Sequence, residues 1–412
     1  MEMLGVPRFA VAESAEPAPI WRDAFQSSPA AYEPFSEKLT QLMIEEFNLP
    51  PHVVELMQSR RVTGTLRYRI ALSAGGTRLR VRLSNEVGFA PLAVAAASVG
   101  LAADLFDARA GSLKPLTFGG AVAVVVPAGA PIVSDPVDLV VEAGTALLVS
   151  IDVSGPLKVD GRGGAMTAVA AGRQAMQRIF EDATQILSRP LISGVSVETA
   201  SPLGIVVAFG DSITDGNRLA PDILSGWPER LGKRLAARAS ERGFCVINAG
   251  IGGNRLLASG WGEAGLGRLD RDVLRIEGVS HLILLEGLND IGMSGPSPFG
   301  DNPAVSPEDL ISGYRQVIVR ARARGIRVII GTNTPFGDSP LFSPDNEAIR
   351  QAVNQWIRTS GETDGVIDFE QAIRDPTHPQ RLRDEYDSGD HVHPSETGYR
   401  AMGDAIDLSL FT

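Results

Sequence analysis

The apolar residues of this 412-residue chain change their period near residue 200. Before that point they alternate with polar ones. Leu66, Tyr68 and Ile70 are separated by Arg67 and Arg69, and Leu79, Val81 and Leu83 by Arg80 and Arg82. Period two marks strands with one face buried and the other wet. Ser73-Ala74-Gly75-Gly76 between the two runs reads as a hairpin loop. Further strand-like runs at 94–101, 122–126, 137–141 and 147–153 are punctuated by Pro127-Ala128-Gly129 and Ser154-Gly155-Pro156. Many short strands with such turns predict an antiparallel, jelly-roll-like β-sandwich over residues 51–200. Residues 191–197 are expected to return to it as its last strand, while 160–188 has no single reading. Ahead of it, residues 1–50 form a lead-in. There Phe35, Leu39, Leu42, Met43 and Phe47 recur at helical spacing and predict one short amphipathic helix.

After Pro202 the apolar residues run continuously. Residues 204–209 form an uninterrupted apolar strand, the pattern of a sheet buried on both faces. Strands at 245–248, 281–286, 327–331 and 366–369 follow it. They alternate with helices that open at Trp227-Pro228, at Ser306-Pro307-Glu308-Asp309, near Asp345 and at Ser395. This order predicts an α/β unit over 201–412 with a parallel sheet and helices on both faces.

Composition narrows the partners. Hydrophobic residues make up 44% and charged residues 21%, the balance of a folded globular chain. The formal net charge of −11 argues against nucleic acid as a partner. Only four cationic residues are lysines (Lys38, Lys114, Lys158, Lys233), and the many arginines read as surface and helix residues. The single cysteine, Cys245, allows no internal disulfide and reads as a buried structural thiol. No run of about 18 apolar residues predicts a membrane span. Pro7 and Arg8 interrupt the apolar region that a signal peptide would need, although Ala10-Val11-Ala12 is similar to a cleavage site. A cytoplasmic location, or a secreted one after trimming of a leader, is expected. Oligomeric state is not legible.

Sites in open parallel sheets form beyond the carboxyl ends of the strands. Four polar segments follow apolar ones there: Gly210-Asp211-Ser212-Ile213-Thr214-Asp215-Gly216, Asn248-Ala249-Gly250-Ile251-Gly252-Gly253-Asn254, Gly287-Leu288-Asn289-Asp290 and Asp390-His391-Val392-His393-Pro394. They supply a serine, backbone and amide donors, and an acid three residues before a histidine. Acyl transfer needs that set. A serine hydroxyl needs a base, histidine is the natural one, a carboxylate orients it, and the oxyanion needs fixed donors. Asp211, Asp215 and Asp290 read as turn or helix N-terminal acids, and Trp227 and Trp261 as packing residues.

These ordered blocks resemble those of the SGNH/GDSL hydrolases over about residues 203–410. The resemblance implies a flavodoxin-like three-layer α/β/α fold and metal-free ester hydrolysis, with no cofactor. It implies Ser212 as nucleophile, Asp390 as orienting acid and His393 as base, with Ser212, Gly253 and Asn289 as oxyanion donors. Gly250 and Gly252 compete with Gly253 for that place. Ile213 stands where the family usually has leucine, at a position expected to pack. Some carbohydrate esterases pair this catalytic fold with a β-sandwich, which is similar to the layout here. The expected substrate is a small-molecule or carbohydrate ester with a short acyl group such as acetate. The sandwich would shape one wall of the cleft, grip a polymer or stabilise the catalytic unit.

Three other readings compete. His391 and His393, with Asp387 or Asp390, could hold zinc in a metal-dependent hydrolase. The glycine run 250–253 follows a strand as nucleotide loops do, but it lacks their spacing, and Asp270 is only a coincidental ribose-binding acid. The sandwich could also be a carbohydrate-binding module on a non-catalytic scaffold, against which stands the intact Ser, Asp and His set.

Overall fold

The computed structural model of the chain describes residues 19–31, 36–56, 58, 60–159, 166–200, 203–216, 226–238, 243–297 and 299–411. Pro7, Arg8, Ala10-Val11-Ala12 and Phe35 lie outside these residues.

Two antiparallel sheets face each other across the N-terminal half. One runs Ile20–Gln26, Ile192–Thr199, Gly76–Ser84 and Pro131–Val133, with Val137–Val141 also on Gly76–Ser84. The other runs Thr184–Leu187, Met166–Ala170, Arg60–Ala71, Ala146–Val159, Leu92–Leu101 and Lys114–Leu116, with Val124–Val126 also on Leu92–Leu101. The alternating residues meet in the space between: Leu66 and Ile70 of one sheet and Leu79, Val81 and Leu83 of the other have no exposed surface.

Two expectations are corrected here. Residues 73–76 do not close a hairpin. Arg60–Ala71 pairs with Ala146–Val159 and Met166–Ala170, and Gly76–Ser84 with the other sheet. The loop carries the chain across the core, so the two apolar faces oppose each other instead of lying side by side. Period two reports which face is apolar and leaves the pairing partner open. Arg67 is not on a wet face either. It has no exposed surface, lies 4.4 Å from the Phe180 ring, and donates to Ser150 Oγ and to the carbonyls of Phe106, Gln174 and Gln177.

The lead-in contributes more than the expected helix, which spans Glu37–Glu45 with Ser36 as its cap. Ile20–Gln26 is an edge strand on Ile192–Thr199, and just past the lead-in a second helix spans Pro51–Leu56. Residues 166–170 and 184–187 settle the ambiguous stretch as two strands.

In the C-terminal half, the parallel sheet contains β1 (Gly204–Gly210), β2 (Phe244–Gly250), β3 (Val279–Leu285), β4 (Arg327–Gly331) and β5 (Gly365–Ile367) in the order β2-β1-β3-β4-β5. That is the flavodoxin-like order. Helix Trp227–Ala236 packs with Glu396–Ala405, and Pro307–Arg322 with Pro344–Thr359, so helices cover both faces. Ile205, Val206, Val207 and Phe209 of β1 are fully buried. Each such apolar side chain stabilises the fold by about 1.5–3 kcal/mol. The helix starts follow local chemistry: Ser306 and Asp309 form a reciprocal capping box, and Ser343 and Ser395 cap the helices that follow them.

The halves share one continuous apolar cluster. Gln26 donates to the carbonyl of Asp272, and Cys245 points its thiol at the carbonyl of Asp23. Burial pushes that thiol up to about 12. Cys245 is therefore an inert packing residue at the seam.

Candidate active site

Register places the rim of the sheet. Gly210, the last residue of β1, pairs with Gly250 of β2 and Leu285 of β3. The loops beyond them therefore leave the sheet at one level. Asp211 accepts the backbone N–H of Ile213 at 2.9 Å and caps the short helix Ser212–Asp215, which sets Ser212 at its first position. Ile251 donates to the carbonyl of Gly210 and draws the second loop alongside.

Glycine is required twice. Gly253 has φ +72°, and a Cβ there would sit 1.9 Å from Cε3 of Trp261. Gly287 has φ +118°, and a Cβ there would meet the Tyr314 hydroxyl at 2.7 Å. No side chain fits either turn. The second turn starts the helix Leu288–Gly292 that carries Asn289.

The C-terminal loop brings in the remaining groups. His393 Nε2 lies 2.7 Å from Ser212 Oγ, and His393 Nδ1 lies 2.5 Å from Asp390 Oδ2. The other oxygen, Asp390 Oδ1, accepts the backbone N–H groups of Val392 and His393 and the Ser388 hydroxyl. Burial opposes ionisation of Asp390. The His393 ring and these backbone donors outweigh it and hold the carboxyl down at about 2. The hydroxyl can pass its proton to the imidazole while the carboxylate fixes the ring and balances its charge.

Asn289 Nδ2 donates to the carbonyl of Asn254 at 2.9 Å and lies 3.4 Å from Asp211 Oδ2. Ser212, Gly253, Asn289, Asp390 and His393 all border one cavity of about 120 Å³. Among the competing glycines, Gly250 has its N–H engaged by the Asn248 side chain at 2.9 Å. Gly253 borders the cavity.

A buried layer lies beneath these groups. Arg268 is fully buried, with its guanidinium 3.9 Å from the Phe209 ring centre. It donates to the carbonyls of Gly210 and Ala249, to Asn254 Oδ1 and to Asp272 Oδ2, and it reaches Glu286 at 3.5 Å. Asn254 passes this on, holding the carbonyls of Trp261 and Glu263 with its Nδ2. Asp290 accepts the backbone N–H groups of Leu256 and Leu257, yet burial pushes its carboxyl up to about 6. Glu286 is pushed well above its ordinary value by burial and by the Asp211 and Asp290 carboxylates, against the pull of Arg268.

The arginines thus divide, and their reading as surface residues is corrected: Arg67, Arg268 and Arg350 have no exposed surface. Trp227 packs against Phe369 as expected. Trp261 is half-buried and borders the cavity, so it is more than a packing residue. His391 Nδ1 pairs with Asp387 at 2.6 Å, and the His393 nitrogens face Asp390 and Ser212. Among the described residues, no three His, Cys, Asp or Glu side chains gather as a metal-binding group. No helix among them is long and apolar enough to cross a membrane.

Sequence reasoning missed one wall of the cavity. Met43, Phe47 and Leu49 of the lead-in, with Val53 and Leu187 from residues 51–200, border it together with Ser212. The helical spacing of Met43 and Phe47 was the available signal, but a periodic apolar face does not say what it packs against.

Residues 208–401 match the model of the GDSL-like lipase/acylhydrolase family. Among solved structures, the chain is similar to a lipolytic protein of the G-D-S-L family from Desulfitobacterium hafniense, at 21% identity over 49% of this chain and 96% of that one, with a TM-score of 0.36. It is similar to a GDSL-like lipase from Bacteroides thetaiotaomicron at 18% identity, over 50% and 87%, with a TM-score of 0.36. It is similar to the M. smegmatis aryl esterase at 17% identity, over 49% and 95%, with a TM-score of 0.38. No curated protein matches the chain.

Proposed function

Residues 208–401 belong to the GDSL-like lipase/acylhydrolase family, and from that premise we propose that the chain is a serine esterase working through an acyl-serine intermediate. The Ser212 Oγ–His393 Nε2 distance of 2.7 Å, with Asp390 behind the ring, carries the proposal. Ser212 Oγ bonds to the ester carbonyl carbon while its proton passes to His393 Nε2. The carbonyl oxygen takes the charge, facing the Ser212 N–H, the Gly253 N–H and Asn289 Nδ2. Collapse breaks the bond to the alcohol, which leaves with the proton from His393. Water then attacks the acyl-serine by the same route, returning the serine and releasing the acid. Asn289 can serve because the short bond to Asn254 uses one amide hydrogen and the other makes only a long contact with Asp211.

In this reading 201–412 is the catalytic unit, 51–200 the sandwich, and 1–50 a lead-in that also supplies a sandwich strand. An acetyl ester of a carbohydrate or another polar alcohol is compatible with the reacting groups. The apolar residues around the cavity favour an acyl group larger than acetate.

The test is hydrolysis of an aryl ester together with labelling by a fluorophosphonate. Wild-type protein should turn over and take the label. Ser212→Ala should do neither, at a rate at least about 10³-fold lower. Retained turnover in Ser212→Ala overturns the assignment. Loss of wild-type turnover on dialysis against a chelator would favour the His391/His393 metal reading. An inert wild-type protein would favour the non-catalytic scaffold.

A further inference from the structure

We infer that helices Glu37–Glu45 and Pro51–Leu56, with the segment that joins them, form one wall of an acyl pocket, so that the substrate is an ester of an apolar acid longer than acetate. The inference rests on the acyl-serine reading and deepens it.

Three observations carry it. First, Met43, Phe47, Leu49 and Val53 border the cavity that holds Ser212 and His393, although they lie about 160 residues or more before the serine in sequence. Second, three of these side chains are buried but do not fill the space beside them: Phe47 is 5% exposed, and Met43 and Val53 are each 6% exposed. Apolar side chains around a void forgo contacts on that side, and an apolar guest restores them. Val53 and Leu49 also pack against Leu187 of the sandwich, which borders the same cavity.

Third, an aromatic series gives the wall a direction. Trp261 covers the Cα of Gly253, Phe299 meets Trp261 edge-on at 5.4 Å, and Phe47 meets Phe299 edge-on at 5.6 Å. The series begins at an oxyanion donor and runs to the segment that joins the two helices. The leaving alcohol must lie on the His393 side, since that ring protonates it. The group directed along the aromatic series is then the acyl chain. Each methylene buried there should raise kcat/KM roughly fourfold until the pocket is full.

The experiment compares p-nitrophenyl acetate, butanoate, hexanoate and octanoate on the full chain and on Phe47→Trp, Met43→Trp and Phe47→Ala. In the wild type, hexanoate should exceed acetate in kcat/KM. The tryptophan variants should cut the hexanoate-to-acetate ratio at least tenfold, and Phe47→Ala should move the optimum to a longer chain. A parallel series of alkyl acetates varies the alcohol alone, and its profile should not change in these variants. Binding of sodium octanoate to Ser212→Ala, measured by calorimetry, should be tighter than that of acetate and weakened by adding Phe47→Trp. Unchanged acyl ratios in active variants, or an effect that follows the alcohol, overturns the acyl pocket. An inert wild type whose Ser212→Ala form still binds octanoate through Phe47 leaves the pocket standing and removes the acyl-serine reading.

Discussion

The guanidinium of Arg268 donates to the carbonyl of Gly210 at 2.8 Å, two residues before Ser212. The same group holds Ala249 near the end of β2 and Asn254 on the loop beyond it, so one buried cation sets the spacing of the two strand ends whose loops border the cavity. Arg268→Met keeps the volume but removes the arginine partner of Glu286 and one of the two that hold Asp272, Arg271 being the other. It should lower stability by about 3–5 kcal/mol, read as a shift in the denaturant midpoint. Arg268→Lys should fall between the two, because a point charge cannot reproduce the fork. A midpoint unchanged in Arg268→Met would show that the loops are held by something else.

Asp390→Asn should leave the C-terminal loop in place, since an amide oxygen can still accept from Val392 and His393. It should reduce kcat by about 10³–10⁴-fold, because the amide can stabilise the wrong tautomer and offers no charge to the imidazolium. Its carboxyl, held at about 2, also contributes to stability. A depressed acid contributes fully above its unfolded value near 3.8 and loses that contribution as pH falls towards 2. Acid unfolding curves of wild type and variant should therefore converge only below pH 4.

Gly253→Ala puts a methyl group where the Trp261 ring now lies. Activity should fall by at least about 10²-fold, the scale for a lost oxyanion donor. Adding Trp261→Ala removes the clash and should recover part of the loss. The strained φ of +72° remains, so recovery should be incomplete. A single Gly253→Ala variant as active as wild type would show that the turn absorbs the methyl group without displacing the N–H, and would overturn the steric requirement for glycine here.

Asp290 contributes a pH dependence of the opposite sign. Its carboxyl is raised to about 6 in the folded chain, so the folded state holds the proton more tightly than the unfolded one. Its stabilising contribution is complete below about pH 4 and is lost as pH rises through 6, by up to about 3 kcal/mol. Asp290→Asn should flatten the stability difference between pH 4 and pH 7. Parallel curves for wild type and variant would show that the group titrates normally.

The parallel sheet was legible because each of its strands is a self-contained signal. An apolar run such as 204–209 needs no knowledge of its neighbours, and caps such as Ser306 and Ser395 mark where helices start. The candidate triad was legible for the same reason. Its members lie in two short self-contained blocks, Ser212 directly after β1 and Asp390 with His393 just ahead of the helix cap Ser395.

What failed depended on distant partners. Ile20–Gln26 becomes a strand only because Ile192–Thr199 is there to pair with it. Arg67 alternates like a solvent-facing residue, yet the segments containing Phe106, Gln174 and Gln177 fold over it. Arg268 looks like any helical arginine until Gly210, Asn254 and Asp272 surround it. The apolar wall escaped notice because Met43 and Phe47 satisfy an ordinary amphipathic pattern.

The edge strand Ile20–Gln26 has a consequence for how the molecule is made. Asp23 accepts the Ser196 hydroxyl across 173 positions of sequence. A ribosome adding about 5–20 residues per second releases the first partner many seconds before the second. Until then, the segment that goes on to Met43 and Phe47 has no sheet edge to anchor it. Truncated nascent chains ending before residue 192 should therefore expose it to protease, whereas chains extended past residue 199 should begin to protect it.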